Sequence, residues 1–292
     1  MDGEDLLLCP VCGTQYDVPA DEPLNNCHIC DDPRQYVPPT GQKWTSLGAE
    51  RGKHENKWVA MEGEERITSI TAEPKLGIGQ RALLIETQHG NVLWDCIAYL
   101  SDELVEFINS KGGLCAIVIS HPHFYTTHLT WSSVFSCPVY IHSADREWLS
   151  RKDSKNTRRY ISDATHEILP GVTAIQCGGH FPGSMVLHWE KHLFIADTFI
   201  NVPAALTPPK PHEGMNSYAF MWSIPNMIPL PPHTISRIWA AVRPFEFEAT
   251  HGLFVGFDIA AKDVKGRVLE SMKIQTRMQG FEEADILDEV WS

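Results

Sequence analysis

The chain has 292 residues, of which 43% are apolar, which allows a substantial core and, by length, about two domains. Lys and Arg number 24 against 37 Asp and Glu, and the net charge of −13 disfavours nucleic acid and anionic membrane as partners. No apolar run approaches the ~18 residues of a membrane span, and the acidic start Met1-Asp2-Gly3-Glu4-Asp5 is unlike a secretory signal, so a cytoplasmic globular protein is expected.

Cys9 and Cys12 in CPVCG, with Cys27 and Cys30 in CHIC, form two CxxC turns near the start of the chain. Paired turns of this kind place four thiolates on one tetrahedral ion and predict a structural zinc, with Gly13 suited to the tight turn. So short a segment cannot bury enough surface to fold unaided, and the metal supplies the folding free energy. A disulfide or redox pair is the bland alternative. His28, inside the second pair, reads as an exposed bystander. A proline-rich connector at 31–41 then predicts an appended ribbon over 1–44, a candidate surface for a protein partner, and a main domain over 45–292. Cys96, Cys115, Cys137 and Cys177 read as small buried hydrophobes.

In the main domain, 66–71 alternates as a strand, and 81–94 reads as a hairpin around a Gly-Asn turn. It ends at Asp95, which either orients a histidine or caps the next turn. A helix over 100–111 starts at Ser101 and stops at Gly112-Gly113. Residues 115–120 form an apolar strand that delivers His121 and His123 to the loop at its end. A helix over 126–135, a strand over 138–142 and a short helix over 144–149 give the rhythm of a layered α/β domain. The basic cluster at 151–159 reads as a solvated loop. A strand over 168–177 leads to Gly178-Gly179-His180, and a hairpin over 186–196 ends at Asp197, with His188 and His192 as plain strand and turn residues. Residues 202–233 are rich in proline and large apolar side chains. They read either as a surface layer or as a wall over a site, with Phe220 and Trp222 as candidate substrate contacts. A helix over 235–242, a strand over 245–249 leading to His251, and a helix over 261–279 follow.

His121, His123, His180, Asp197 and His251 each follow a predicted strand and can gather at one edge of a sheet. Their order and spacing resemble the metallo-β-lactamase fold superfamily. HPHFYT matches the first two positions of its HxHxDH loop, GHFPGS its GHTPGS segment, ADT its GDT strand end, and His251 its late histidine. The resemblance covers about residues 60–260 and implies an α/β, α+β layered fold, the αββα sandwich, with metal at one edge. It implies that His121, His123 and His180 hold a first metal, that Asp197 is the shared carboxylate, and that His251 belongs with a second metal. Tyr125 and Thr126 stand where the family has its aspartate and following histidine, so a single ion is expected. His128 is a candidate replacement that helix geometry turns away.

Zinc held by three imidazoles lowers the pKa of water toward ~7, which predicts a hydrolase acting on an ester, lactone, thioester or amide of a small organic substrate. Tyr125 is either a proton donor or an inert plug of the second position. Two alternatives stand beside this. The resemblance extends to mononuclear iron persulfide dioxygenases, whose triad would map to His121, His180 and Asp197. A degenerate binding module docking a protein through its ribbon is the other.

Overall fold

The structure, a computed structural model, describes residues 2–206 and 215–291, and divides into two compact units, Met1–Ile161 and Ser162–Ser292.

The first unit is built on a seven-stranded sheet whose strands lie in chain order: Glu55–Met61, Glu64–Glu73, Ala82–Thr87, Gly90–Trp94, Ala116–Val118, Val139–His142 and Arg158–Ile161. The first four pair antiparallel and the last three join in parallel. Leu84, Ile85, Val92, Leu93, Ile117 and Val118 are fully buried, as near-continuous apolar strands in the middle of a sheet should be. Thr87 pairs with Gly90, so the hairpin turns on Gln88-His89 and not on the expected Gly-Asn. The helix at Asp102–Ser110 is capped by Ser101, whose Oγ accepts from Leu104 N at 3.2 Å. The helix expected from residue 126 starts at His128 instead, because Thr126 has φ 30° and Pro122–Phe124 forms a separate 3₁₀ turn.

The ribbon hairpin, Leu6–Leu8 with Gln15–Pro19, packs Leu7, Tyr16 and Ile29 around the cysteines. It is tied to the rest of its unit at several points. Leu8 and Thr45 bridge backbones, Thr130 Oγ1 donates to Asp2 O at 2.8 Å, and Arg151 Nη1 donates to Gln15 Oε1 at 2.8 Å. His28 is no bystander: its ring lies 5.9 Å from that of Trp148, and the Arg34 guanidinium lies 4.9 Å from the same indole. The basic cluster likewise departs from a solvated loop, since Arg151 binds the ribbon and Arg158 is buried. Cys115 is exposed, unlike the other cysteines, because it sits just before the buried part of its strand.

The second unit carries a six-stranded sheet in the order Thr165–Leu169, Val172–Gln176, Met185–Trp189, His192–Phe194, Ala249–His251 and Asp258–Ala260. The single strand expected over 168–177 is broken at Pro170-Gly171, where Gly171 takes φ 80°. The strand expected at 245–249 begins only at Ala249, because Phe245 still turns back on the preceding helix through its N–H to Val242 O. Helices Pro232–Val242 and Val264–Met278 contribute to a core that includes Phe199, Phe220, Ile238, Trp239, Val268 and Met272. Of the proline-rich segment, 207–214 lies outside the described residues. The flanking parts make two small ladders, Ile200–Asn201 with Tyr218–Ala219 and Met221–Ser223 with Ile228–Pro229. Among the described residues, no helix is long and apolar enough to cross a membrane.

Candidate metal centre

The parallel register of Trp94 with Val118 brings Asp95 and Ser120 out side by side at one sheet edge, and Asp95 N–H donates to Val118 O at 2.8 Å. Asp95 then accepts twice from Ser120, from the backbone N–H at 2.7 Å and from the hydroxyl at 3.0 Å. With its one proton given to the carboxylate, Ser120 Oγ must accept from His121 Nδ1–H, 2.8 Å away. This places a proton on Nδ1, so the tautomer it favours carries its lone pair on Nε2, where a metal would bind. The same logic holds at His180. The chain bends after Gln176 through Gly178 and Gly179, and a Cβ on Gly179 would fall 2.9 Å from Leu230 Cδ1. His180 Nδ1 donates to the Trp222 carbonyl at 2.7 Å, which leaves Nε2 turned to Asp197 Oδ2 at 3.4 Å. In the tautomer protonated on Nδ1, Nε2 and the carboxylate oxygen are both acceptors and suit a cation between them. At His123, the Gln35 side-chain amide lies 3.2 Å from Nδ1.

One ligating atom from each of His121, His123, His180 and Asp197 falls within 4.8 Å of the others, and all four residues are buried. Three imidazoles and one carboxylate fit a divalent zinc or iron ion.

The other expected site residues are engaged elsewhere. His251 is not among these four. Its Nδ1 donates to Asp258 Oδ1 at 3.1 Å, and its Nε2 accepts from His192 Nδ1 at 3.0 Å, so His192 is more than a turn residue. Tyr125 is buried and its hydroxyl donates to Asp145 O at 3.4 Å; burial, and then the Asp145 carboxylate, push its pKa up. His128 donates through Nδ1 to Tyr125 O at 2.5 Å and accepts at Nε2 from Arg158 Nε at 2.9 Å. Burial and the Arg158 cation depress its pKa to about 3. Phe220 is fully buried, stacked on Phe199 at 5.7 Å. Trp222 contributes its backbone carbonyl to His180.

The four ribbon cysteines also gather, with Cys9 Sγ 3.7 Å from Cys30 Sγ and Cys12 Sγ 3.5 Å from Cys27 Sγ. A tetrahedron with metal–sulfur bonds of ~2.3 Å has edges of ~3.8 Å, so this spacing fits a metal and not a disulfide. Tyr16 OH donates to Cys27 Sγ at 3.1 Å.

Three residues of the surrounding network had escaped the sequence reading. Ser120 carried one signal, its place directly before the HxH pair. Gln275 lies in the expected helix over 261–279 and carried no site signal of its own; its amide clamps the Phe220 backbone on both sides at 2.9 Å. Gln35 gave no signal, since only the fold brings it to His123.

No family model matches the chain. Among solved structures, VMB-1 is similar at a TM-score of 0.53 and 13% identity, covering 77% of this chain and 98% of that one. The DIM-1 metallo-β-lactamase is similar at 0.51 and 13%, covering 76% and 98%. The fold is thus the metallo-β-lactamase sandwich, with a four-cysteine cluster near the N-terminus. The chain is 39% identical over 252 residues to the uncharacterized protein YmaE of Bacillus subtilis, covering 85% of this chain and 88% of that protein. It belongs to the same family as YmaE and has the metallo-β-lactamase fold.

Proposed function

We propose that this chain is a metal-dependent hydrolase acting on an ester, lactone, thioester or amide of a small organic substrate, with one ion on His121, His123, His180 and Asp197. The observation that carries it is the preset tautomer of two of these histidines, His121 by Ser120 and His180 by the Trp222 carbonyl. An ion so held supplies Lewis acidity, which polarises a carbonyl and acidifies water near neutral pH. Asp197 lowers the net charge of the site and faces His180 Nε2. A single ion is supported by the engagement of His251 with Asp258 and His192, and of His128 with Arg158 and Tyr125 O. The burial of Tyr125 and its bond to Asp145 O support the plug role over that of proton donor. The four cysteines are assigned a second, structural zinc, and the contacts of His28 and Arg151 support a structural role for the ribbon.

Metal analysis after anaerobic purification, joined to assays on ester, lactone, thioester and amide panels and to oxygen uptake, tests this. About two zinc per chain is expected, with Asp197→Ala and His180→Ala each retaining about one and losing turnover. Iron with oxygen uptake would move the site to dioxygenase chemistry through His121, His180 and Asp197. Full turnover in a variant shown to lack the ion would overturn the hydrolase reading.

A further inference from the structure

In the second unit, a half-open apolar cavity of about 170 Å³ lies among the residues that follow the strand ends at Phe194 and His251. Ala196, the neighbour of Asp197 in the chain, and Gly252, the neighbour of His251, both line it, so one end lies one residue from a metal ligand. Phe199, Ile200, Ile224 and Leu253 supply much of the remaining wall. Asn201 is the one polar side chain among the described lining residues. Its Nδ2 lies 3.4 Å from Thr250 Oγ1, while its buried Oδ1 has no hydrogen-bond partner. Gly252 packs against that oxygen and allows the close approach, since a Cβ there would fall 2.8 Å from Asn201 Oδ1 and 2.6 Å from Phe257 O, so the cavity wall stays apolar. Phe254 and Val255, in the loop that closes this wall, are exposed, so the apolar surface continues outward.

We infer that this cavity receives the apolar tail of the substrate, an alkyl, acyl or aryl group about the size of benzene. A dry apolar cavity of ~150 Å³ is known to accept benzene, which sets the scale at roughly six carbons. The inference takes its scissile group from the proposed hydrolase, but the cavity is tested without turnover.

The metal-loaded protein is titrated calorimetrically with straight-chain carboxylates from acetate to decanoate. Affinity is expected to rise roughly 3- to 4-fold per methylene up to about six carbons and then level off. In parallel, fluorine NMR follows fluorobenzene and 4-fluorophenol. Fluorobenzene is expected to bind tighter than the phenol, because the wall offers the hydroxyl no accessible partner. Ile200→Trp, which fills the space, is expected to remove the chain-length gain with its ion content unchanged. A flat chain-length series together with no binding of either fluoroarene to the unmodified protein overturns the inference, whether or not esters are hydrolysed. Chain-length-dependent binding without hydrolysis of any panel member upholds the cavity and defeats only the hydrolase reading.

Discussion

The Trp222 carbonyl stands 2.7 Å from His180 Nδ1, and that bond decides which nitrogen of the imidazole faces Asp197. The carbonyl is in turn held by the helix Val264–Met278, because Gln275 Oε1 accepts from Phe220 N and Gln275 Nε2 donates to Phe220 O, each at 2.9 Å. Gln275→Leu keeps the apolar packing but releases that segment. It is expected to weaken ion binding at His180 about 10- to 100-fold, measured by chelator competition, with the helical circular dichroism unchanged.

Asp95 reaches His121 through Ser120. Ser120→Ala removes the acceptor for Nδ1–H and leaves a buried carboxylate with fewer donors. A loss of about 10- to 100-fold in ion affinity is expected by the same titration, and an unchanged affinity would show that the tautomer is set elsewhere.

Within the first unit the ribbon segment meets the loop that carries His121 and His123, with Gln35 at His123 and Arg34 on Trp148. Gln35→Ala, which leaves the cysteines untouched, is expected to lower ion affinity at His123 by several-fold while the ribbon ion stays bound. Trp148→Ala is expected to make residues 26–36 exchange amide protons faster, read by hydrogen exchange with mass spectrometry.

His128 carries its pKa at about 3 in the fold, against an ordinary value near 6.5, because burial and the Arg158 cation disfavour its protonation. Between those values the unfolded chain binds a proton that the native chain refuses. This contribution to stability is therefore whole above pH ~6.5 and is lost as pH falls toward about 3. His128→Gln, which removes the titrating group, is expected to show a shallower decline of the urea midpoint across that window than the unmodified protein. Equal slopes would contradict it.

Cys115 is exposed while the other seven cysteines are buried. Iodoacetamide on the native, metal-loaded protein is expected to label one thiol per chain, at Cys115, and Cys115→Ser to abolish labelling, both read by intact mass.

Much of the fold could be read from pattern because the strands bearing the site are short apolar runs ending in chemistry-bearing residues, as at 115–121 and 193–197. The four gathered ligands were legible for the same reason: each follows a strand. What could not be read depends on contacts across long stretches of chain. His28 meets Trp148 at a separation of 120 residues, and Gln35 meets His123 at 88. Local pattern carries no information about such pairs. Arg158 misled because charge in a basic run normally faces water, whereas here its guanidinium is turned inward to His128. The start of the helix at His128 was missed because Thr126 adopts φ 30°, which a β-branched residue rarely does and no propensity forecasts.

Gln35 belongs to the chain segment anchored by the four thiolates, yet it touches an imidazole of the other ion-binding group. Linkage of this kind is reciprocal: whatever the ribbon ion adds to the grip of His123, the second ion must return to the thiolates in equal measure. Binding at either group would then change the affinity of the other by the same factor, with Gln35 as the contact that carries it.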